Sequence, residues 1–333
     1  MTKDAMRLPW QQKNWMHLAA YRTQNRIPQA LLVIGNKGLG KRQLVRQFAN
    51  SLLCNQPQDD SFPCGRCSGC LLFQADTHPD FLHIKPNEGK TVIAISQIRG
   101  LIAQLALKPQ FETYRVVIVS PADALSTGAA NAFLKYLEEP TERTTLILVT
   151  DKPAKLPLTI VSRCQKLMVT APDKAMFLAW LKGHSPDISE TVAATLFGLA
   201  QRTPLLALSY LNGQVLALRN ECFRDWLALA EQQAHPIVIA ENWLKLPEPQ
   251  LIFWLSSWLI DLIKCYYQTG VDGLYNPDLS HSLQTLALRL GPKKLYKLYD
   301  LLLKNRENSQ AQLNKQLMFE ELLIQWYELN QDK

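Results

Sequence analysis

The sequence predicts a doubly wound α/β domain on a parallel sheet, followed by a second half that is helical throughout. Three observations predict it. Between residues 30 and 170, short apolar and often β-branched runs alternate with segments of helical spacing, the pattern of strands joined by crossover helices. A glycine-rich turn separates the first such run from the first of these helices. After Pro172 the strand signals stop and helical periodicity continues almost to the end.

In chain order, residues 11–25 predict a separate N-terminal helix. Ala30 to Ile34 is a continuous apolar run ending at Gly35, the signature of a strand buried on both faces. Residues 41–54 carry helical spacing at Leu44, Phe48 and Leu52. Phe81 to Ile84 is a second strand. Ser96 is placed to cap a helix whose apolar face is Ile98, Leu101, Ile102 and Leu105. Arg115 to Val119 is a β-branched strand ended by Ser120 and Pro121. Residues 122–139 predict one continuous helix stopped by Pro140. Residues 144–149 and 165–169 complete five strands. Beyond them, Asn212-Gly213 marks a break between a small helical unit and a larger helical domain, and Gly291-Pro292 a helix-to-helix turn.

Composition limits the function classes. The 333 residues are 47% hydrophobic and carry a net charge of +7, which excludes a disordered chain and supports two or three cores. The mildly basic balance is compatible with nucleic acid or an acidic partner and specifies neither. Residues 1–7 have no apolar core, so a secretory signal is not expected. The most apolar run, residues 251–260, is too short to span a bilayer and reads as a buried helix. Cytoplasmic residence is the resulting expectation.

The glycine turn carries the first chemistry. Gly35, Gly38, Gly40 and Lys41 fit G-x-x-x-x-G-K, with a strand before and a helix after. Such a loop turns backbone N–H groups and a helix N-terminus toward phosphate. Two departures argue against hydrolysis. Arg42 stands where a Ser or Thr hydroxyl would ligate Mg²⁺, and the third strand ends in Ser120 and Pro121 where acidic residues would hold the ion. Asp123 lies farther along, where helix capping is the plain reading. Mg²⁺ is therefore not expected, while Lys41 and the glycines leave nucleotide binding open.

The second chemistry is a cysteine cluster. Cys54, Cys64, Cys67 and Cys70 offer four thiolates at spacings of ten, three and three, with Pro63, Gly65 and Gly69 supplying tight turns. An odd total of seven cysteines argues against a disulfide framework. A closed structural Zn²⁺ site suits this spacing, with an iron–sulfur cluster as the competitor. Four thiolates complete a shell, so His78 reads as a loop histidine rather than a ligand. Cys164 reads as a small buried apolar residue.

Several strings then converge: the altered phosphate loop, the four cysteines after its helix, Thr77-His78-Pro79-Asp80, the run N-A-F-L-K-Y-L-E-E-P at 131–140, and Ser162-Arg163-Cys164. Together they closely resemble the bacterial clamp-loader AAA+ family. The specific matches lie within residues 26–170. The resemblance implies an AAA+ nucleotide-binding-like domain over 1–171 with the zinc module at 54–70, a helical lid over 172–212 and a helical collar over 213–333. It implies that Arg163 faces the ATP of a neighbouring subunit, as an arginine finger supplied in trans. It also implies that Thr150 occupies the place that senses phosphate in active relatives. The lid arginine of the ATP-hydrolysing gamma/tau subunits falls near Leu205, where none is present; Arg202 lies a turn earlier. With Arg42, Ser120 and Pro121, this favours a non-motor subunit without enzyme activity of its own, working inside the DNA polymerase holoenzyme. Its implied partners are gamma/tau and delta in a hetero-oligomeric ring, with the sliding clamp and primed DNA reached through the complex. The competing readings are a gamma-like ATPase motor and a zinc-dependent nucleic-acid-binding module; for the latter only Arg66 supplies positive charge inside the cluster. Trp254, Leu255, Trp258 and Leu259 form a stripe that reads as core. The lysines at 293, 294, 297 and 304 read as the solvated face of an amphipathic helix.

Overall fold

The structure, a computed structural model, describes residues 8–331 apart from 112–113, 140, 269, 271–272 and 309–314. Pro140 and residues 1–7, on which two of the expectations above fall, lie outside the described residues. The chain divides into two compact units, Met1–Pro172 and Asp173–Lys333.

The first unit is built on five parallel strands: β1 (Ala30–Ile34), β2 (Phe81–Ile84), β3 (Arg115–Val119), β4 (Thr144–Thr150) and β5 (Gln165–Met168), in the order β2-β3-β4-β1-β5. The three inner strands are buried along their whole length, which is why they read as unbroken apolar runs. Leu32 and Ile34, with Val117, Val119, Leu146 and Leu148, join one core with α4 (Ile95–Leu105) and α5 (Thr127–Glu138). The opposite face meets α2 (Lys41–Leu53), whose Leu44, Phe48 and Leu52 are buried. An N-terminal helix, α1 (Gln12–Thr23), packs against α2, and a short helix, α3 (Ser68–Gln74), follows the cysteine turn.

Two helix starts differ from expectation. Ser96 lies inside the first turn of α4 rather than at its cap. The N-cap is Ala94, whose N–H donates to the Gln97 side chain at 3.0 Å, half of a capping box. Residues 122–139 are not one helix. A single 3-10 turn, Ala122–Ala124, precedes α5, which Ser126 caps by accepting from the Ala129 N–H. A local N-cap overrides the helical tendency of the alanine-rich segment.

The second unit holds two clusters of buried side chains. Phe177, Leu181, Leu196 and Ala207 gather α7 (Lys174–His184), α8 (Glu190–Leu199) and α9 (Pro204–Asn212). The larger cluster gathers α10 (Val215–Ala230), α11 (Pro236–Trp243), α12 (Glu248–Tyr266), α13 (Ser280–Arg289), α14 (Pro292–Asn308) and α15 (Lys315–Leu329). Trp254, Leu255, Trp258 and Leu259 are all buried in it, and Trp226 stacks on Trp326 at 3.9 Å. On α14, Leu295, Leu298 and Leu302 face inward while Lys293, Lys297 and Lys304 are exposed, as the amphipathic pattern requires. Among the described residues no helix is long and apolar enough to cross a membrane.

Candidate functional site

The phosphate loop follows β1, and the residues around it come from the carboxyl ends of β3 and β4, where open α/β sheets place their ligands. Gly35 admits no side chain, because a Cβ would lie 2.5 Å from the Val169 carbonyl oxygen. Gly38 and Gly40 adopt φ of 89° and 77°, the left-handed region that favours glycine. The loop thus has the backbone of a phosphate cradle, but two of its carbonyls are turned to its own lysine. Lys41 is only 4% exposed, and its ammonium donates to the carbonyls of Gly35 at 2.6 Å and Asn36 at 2.8 Å and to Asp151 Oδ1 at 2.5 Å. An ammonium has three N–H donors, and all three are used inside the chain. The Leu39 carbonyl is fixed from outside by Trp10 Nε1 at 3.0 Å and Gln11 Nε2 at 2.6 Å.

Arg42 donates from Nε to Ser120 Oγ at 2.9 Å, so a fixed cation stands at the end of β3. A divalent ion would meet repulsion there rather than ligands. Asp123 does not cap a helix. It accepts from Thr150 Oγ1 at 2.6 Å, and Thr150 accepts in turn from the Lys152 N–H. The hydroxyl proton of Thr150 is thereby committed to a carboxylate. Arg202 lies in the turn before α9, its guanidinium 5.7 Å from the centre of the Phe197 ring, and Leu205 is on α9.

The four cysteines come together. Their Sγ atoms all lie within 4.8 Å of one another, with Cys54 to Cys67 at 3.7 Å and Cys64 to Cys70 at 4.0 Å. Four thiolates about 2.3 Å from one tetrahedral ion lie about 3.8 Å apart, so the donor set fits a single closed metal site. Cys54 caps the end of α2, and Cys67 caps the start of α3. Gly69 lets those two ends meet, since a Cβ there would lie 2.3 Å from the Leu53 carbonyl oxygen. Gly65 turns the chain at φ 76°. Amides of the loop point at sulfur: Cys64 N–H to Cys54 Sγ, Cys67 N–H to Cys64 Sγ and Cys70 N–H to Cys67 Sγ, at 3.3–3.4 Å. Burial works against the Cys67 thiolate, yet the amides of Cys70 and Asn55 and the neighbouring thiols outweigh it and bring Cys67 down to about 6. Cys64 is lowered, chiefly by the Arg66 amide, whereas burial raises Cys54 and Cys70. His78 is not part of this shell. Its Nδ1 accepts from the Asp80 N–H at 3.1 Å. Asp80 itself is buried, accepts from the amides of Gln110 and Phe111 and pairs with Arg115, which gives the Thr77–Asp80 string a structural role.

Arg163 follows the short helix α6 (Leu158–Val161) at the surface. Its guanidinium donates to the Thr159 carbonyl at 3.0 Å and to Glu138 Oε1 at 2.6 Å, the two side chains being 37% and 52% exposed. Cys164 beside it is buried, and burial pushes its thiol up to about 11, which removes it as a nucleophile. The structure brings the four cysteines together, keeps Gly35 to Lys41 in one loop and places Arg163 at the surface beside Glu138 of the 131–140 run. Sequence reasoning gave no role to Asp151, Trp10 or Gln11. An acid directly after a strand that ends beside the loop was the available signal for Asp151.

The family model described as DNA polymerase III, delta subunit, matches residues 10–173, and that described as DNA polymerase III, delta subunit, C terminal, matches residues 213–328. DNA polymerase III subunit delta' of Pseudomonas aeruginosa is 35% identical over 324 residues, 96% of this chain and 97% of its own. The Escherichia coli subunit delta' is 29% identical over 327 residues, 95% of this chain and 94% of its own. DNA polymerase III subunit tau of Bacillus subtilis is 35% identical over 143 residues, 43% of this chain and 25% of its own. Among solved structures, a gamma subunit-related protein of Thermotoga maritima covers 94% of this chain and 99% of its own at 16% identity, with a TM-score of 0.44.

Proposed function

The chain belongs to the DNA polymerase III delta-prime subunit family, and we propose that it is the non-motor subunit of a replicative clamp loader. In this reading it sits in a ring with gamma/tau and delta in the cytoplasm. It helps the complex place the sliding clamp on primed DNA, and it lends Arg163 to the ATP site of a neighbour. The observation that carries the reading is the state of the phosphate loop. Lys41 is saturated by Gly35, Asn36 and Asp151, and Arg42 is tied to Ser120. A loop with these bonds keeps the AAA+ scaffold rigid and offers neither a phosphate donor from lysine nor a place for Mg²⁺.

Arg163 suits the complementary role. A surface ion pair such as Arg163–Glu138 is worth about 0–1 kcal/mol, so a polyanionic phosphate readily takes the guanidinium over. A planar guanidinium can pair bidentately with the γ-phosphoryl oxygens and offset their developing charge. The two clusters of the second unit, one among α7–α9 and the other mainly among α10–α15, support a lid over residues 172–212 and a collar over 213–333. In the cysteine cluster, Cys54, Cys64, Cys67 and Cys70 would hold a structural Zn²⁺ that ties the end of α2 to α3 and performs no chemistry.

The direct test is steady-state ATP hydrolysis by the isolated chain with Mg²⁺. No turnover above buffer is expected. Turnover that disappears in Lys41→Ala would overturn the reading in favour of a gamma-like motor.

A further inference from the structure

We propose that Arg22, on α1, is a positioning residue of the cysteine metal site, where it holds the Cys54 ligand in place and offsets the negative charge of the four thiolates. The proposal rests on the metal reading above.

Cys64, Cys67 and Cys70 lie on one short loop and the helix it opens, shaped by Gly65 and Gly69. Cys54 arrives separately, at the end of α2, after which nine residues intervene. Closing the shell therefore depends on fixing Cys54 and that nine-residue loop. Arg22 does the first. Its guanidinium donates to the Cys54 carbonyl at 3.1 Å and to Ser51 Oγ at 3.0 Å. Ser51 passes the connection on, since its hydroxyl donates to the Ser61 carbonyl at 2.5 Å. Trp15, two turns earlier on α1, holds the same loop: its Nε1 donates to the Asp60 carbonyl at 3.1 Å, and its ring packs on Phe62 at 4.1 Å. One helix thus clamps both the remote ligand and the loop that leads to the next.

The charge balance points the same way. A divalent ion held by four thiolates retains two net negative charges, and Cys54 and Cys70 are buried. A half-buried guanidinium bonded to a ligand residue lowers the cost of that charge. Partners in this outer shell typically change metal affinity about 10–100-fold when removed.

The test is release of zinc from the full chain, loaded with Zn²⁺ alone, to a chromophoric chelator, together with thermal melting of each variant. Arg22→Gln should release zinc about 10–100-fold faster than the unmodified chain. Arg22→Lys keeps the charge without the fork and should fall between the two. Arg26→Gln removes an equal charge from a neighbouring residue that bonds to none of these groups through its side chain, and should release zinc at the unmodified rate. A purely structural cap on α2 would lower the melting temperature and leave zinc release unchanged. The proposal fails if Arg22→Gln, still folded, releases zinc within about twofold of the unmodified chain. If Arg22→Gln does not fold, Arg22→Lys decides, and release at the unmodified rate overturns the proposal. An unmodified chain that takes up no zinc under reducing conditions overturns the metal reading and this one with it. Zinc that binds and ignores Arg22 defeats this one alone.

Discussion

Replacing Lys41 by methionine separates a lysine that serves the fold from one that serves a ligand. Methionine keeps most of the stem packing and removes the ammonium. The change leaves the carbonyls of Gly35 and Asn36 and the Asp151 carboxylate without their donor. Hydrogen bonds from a charged group are worth about 1.5–3 kcal/mol net when buried. Asp151 is 37% exposed, so water recovers part of its share, and its contribution is discounted toward about 1 kcal/mol. Methionine also removes the cost of burying the ammonium, several kcal/mol, which offsets about half of the three lost bonds and leaves a net loss for the site of about 2–3 kcal/mol. For a unit the size of Met1–Pro172, each kcal/mol moves the melting temperature by about 2–4 °C, so Lys41→Met should melt about 4–12 °C lower. A ligand-serving lysine predicts the opposite pair of results. Its loss would barely change the free protein, and nucleotide would stabilise the unmodified chain by about 2.7 kcal/mol at a hundred times its Kd. Differential scanning fluorimetry with and without Mg-ATP reads both quantities. The reasoning is refuted if Lys41→Met melts with the unmodified chain while Mg-ATP raises the unmodified melting temperature by several degrees.

Two further outcomes follow from the first unit. Purified under reducing conditions, the unmodified chain should contain one zinc per chain by elemental analysis, and Cys67→Ser should contain markedly less; iron, or no metal, contradicts the site. The second concerns pH. Burial lowers His78 from its ordinary 6.5, so the unfolded chain takes up the proton first; the associated stability is fully present above about 6.5 and is lost as pH falls below it. His78→Asn, whose Oδ1 can still accept from the Asp80 N–H, should show a shallower fall in melting temperature between about pH 7.5 and 5.5 than the unmodified chain, and equal slopes would remove His78 as a contributor.

What could be read in the sequence was what is local. The strands β1, β3 and β4 are buried on both faces, so each appears as an apolar run with a turn residue at its end. Gly35 to Lys41 and the four cysteines declare themselves by spacing. The bonds that decide the behaviour of those motifs are remote. Lys41 and Asp151 are 110 residues apart, Arg42 and Ser120 are 78 apart, and Arg22 meets Cys54 across 32. No periodicity encodes such pairings: the first two arise where the parallel sheet brings the carboxyl ends of β1, β3 and β4 side by side, and the third where α1 packs on α2. The misread segment at 122–139 has the same cause. Alanines favour a continuous helix, but Asp123 is held by Thr150 of β4 and Ser126 restarts the helix as its cap. The metal choice stayed open in sequence between zinc and an iron–sulfur cluster. The thiolate spacing favours a single ion over a multi-iron cluster, which spreads its ligands over several metals.

Removal of Arg163 from the reconstituted complex tests the proposed clamp-loader role most directly. Arg163→Ala deletes an exposed side chain, so the chain should fold and assemble as before. ATP hydrolysis and clamp loading by the complex should nevertheless slow, because only a reacting phosphate at the neighbouring site uses that charge. An arginine finger is worth about 10³–10⁵ in rate at the site it serves, and arginines from other subunits at other sites make the loss for the whole complex smaller. Arg163→Lys should be impaired as well, since a point charge lacks the planar fork. A complex that carries Arg163→Ala, assembles fully, and hydrolyses ATP and loads clamps at the unmodified rate would contradict the account.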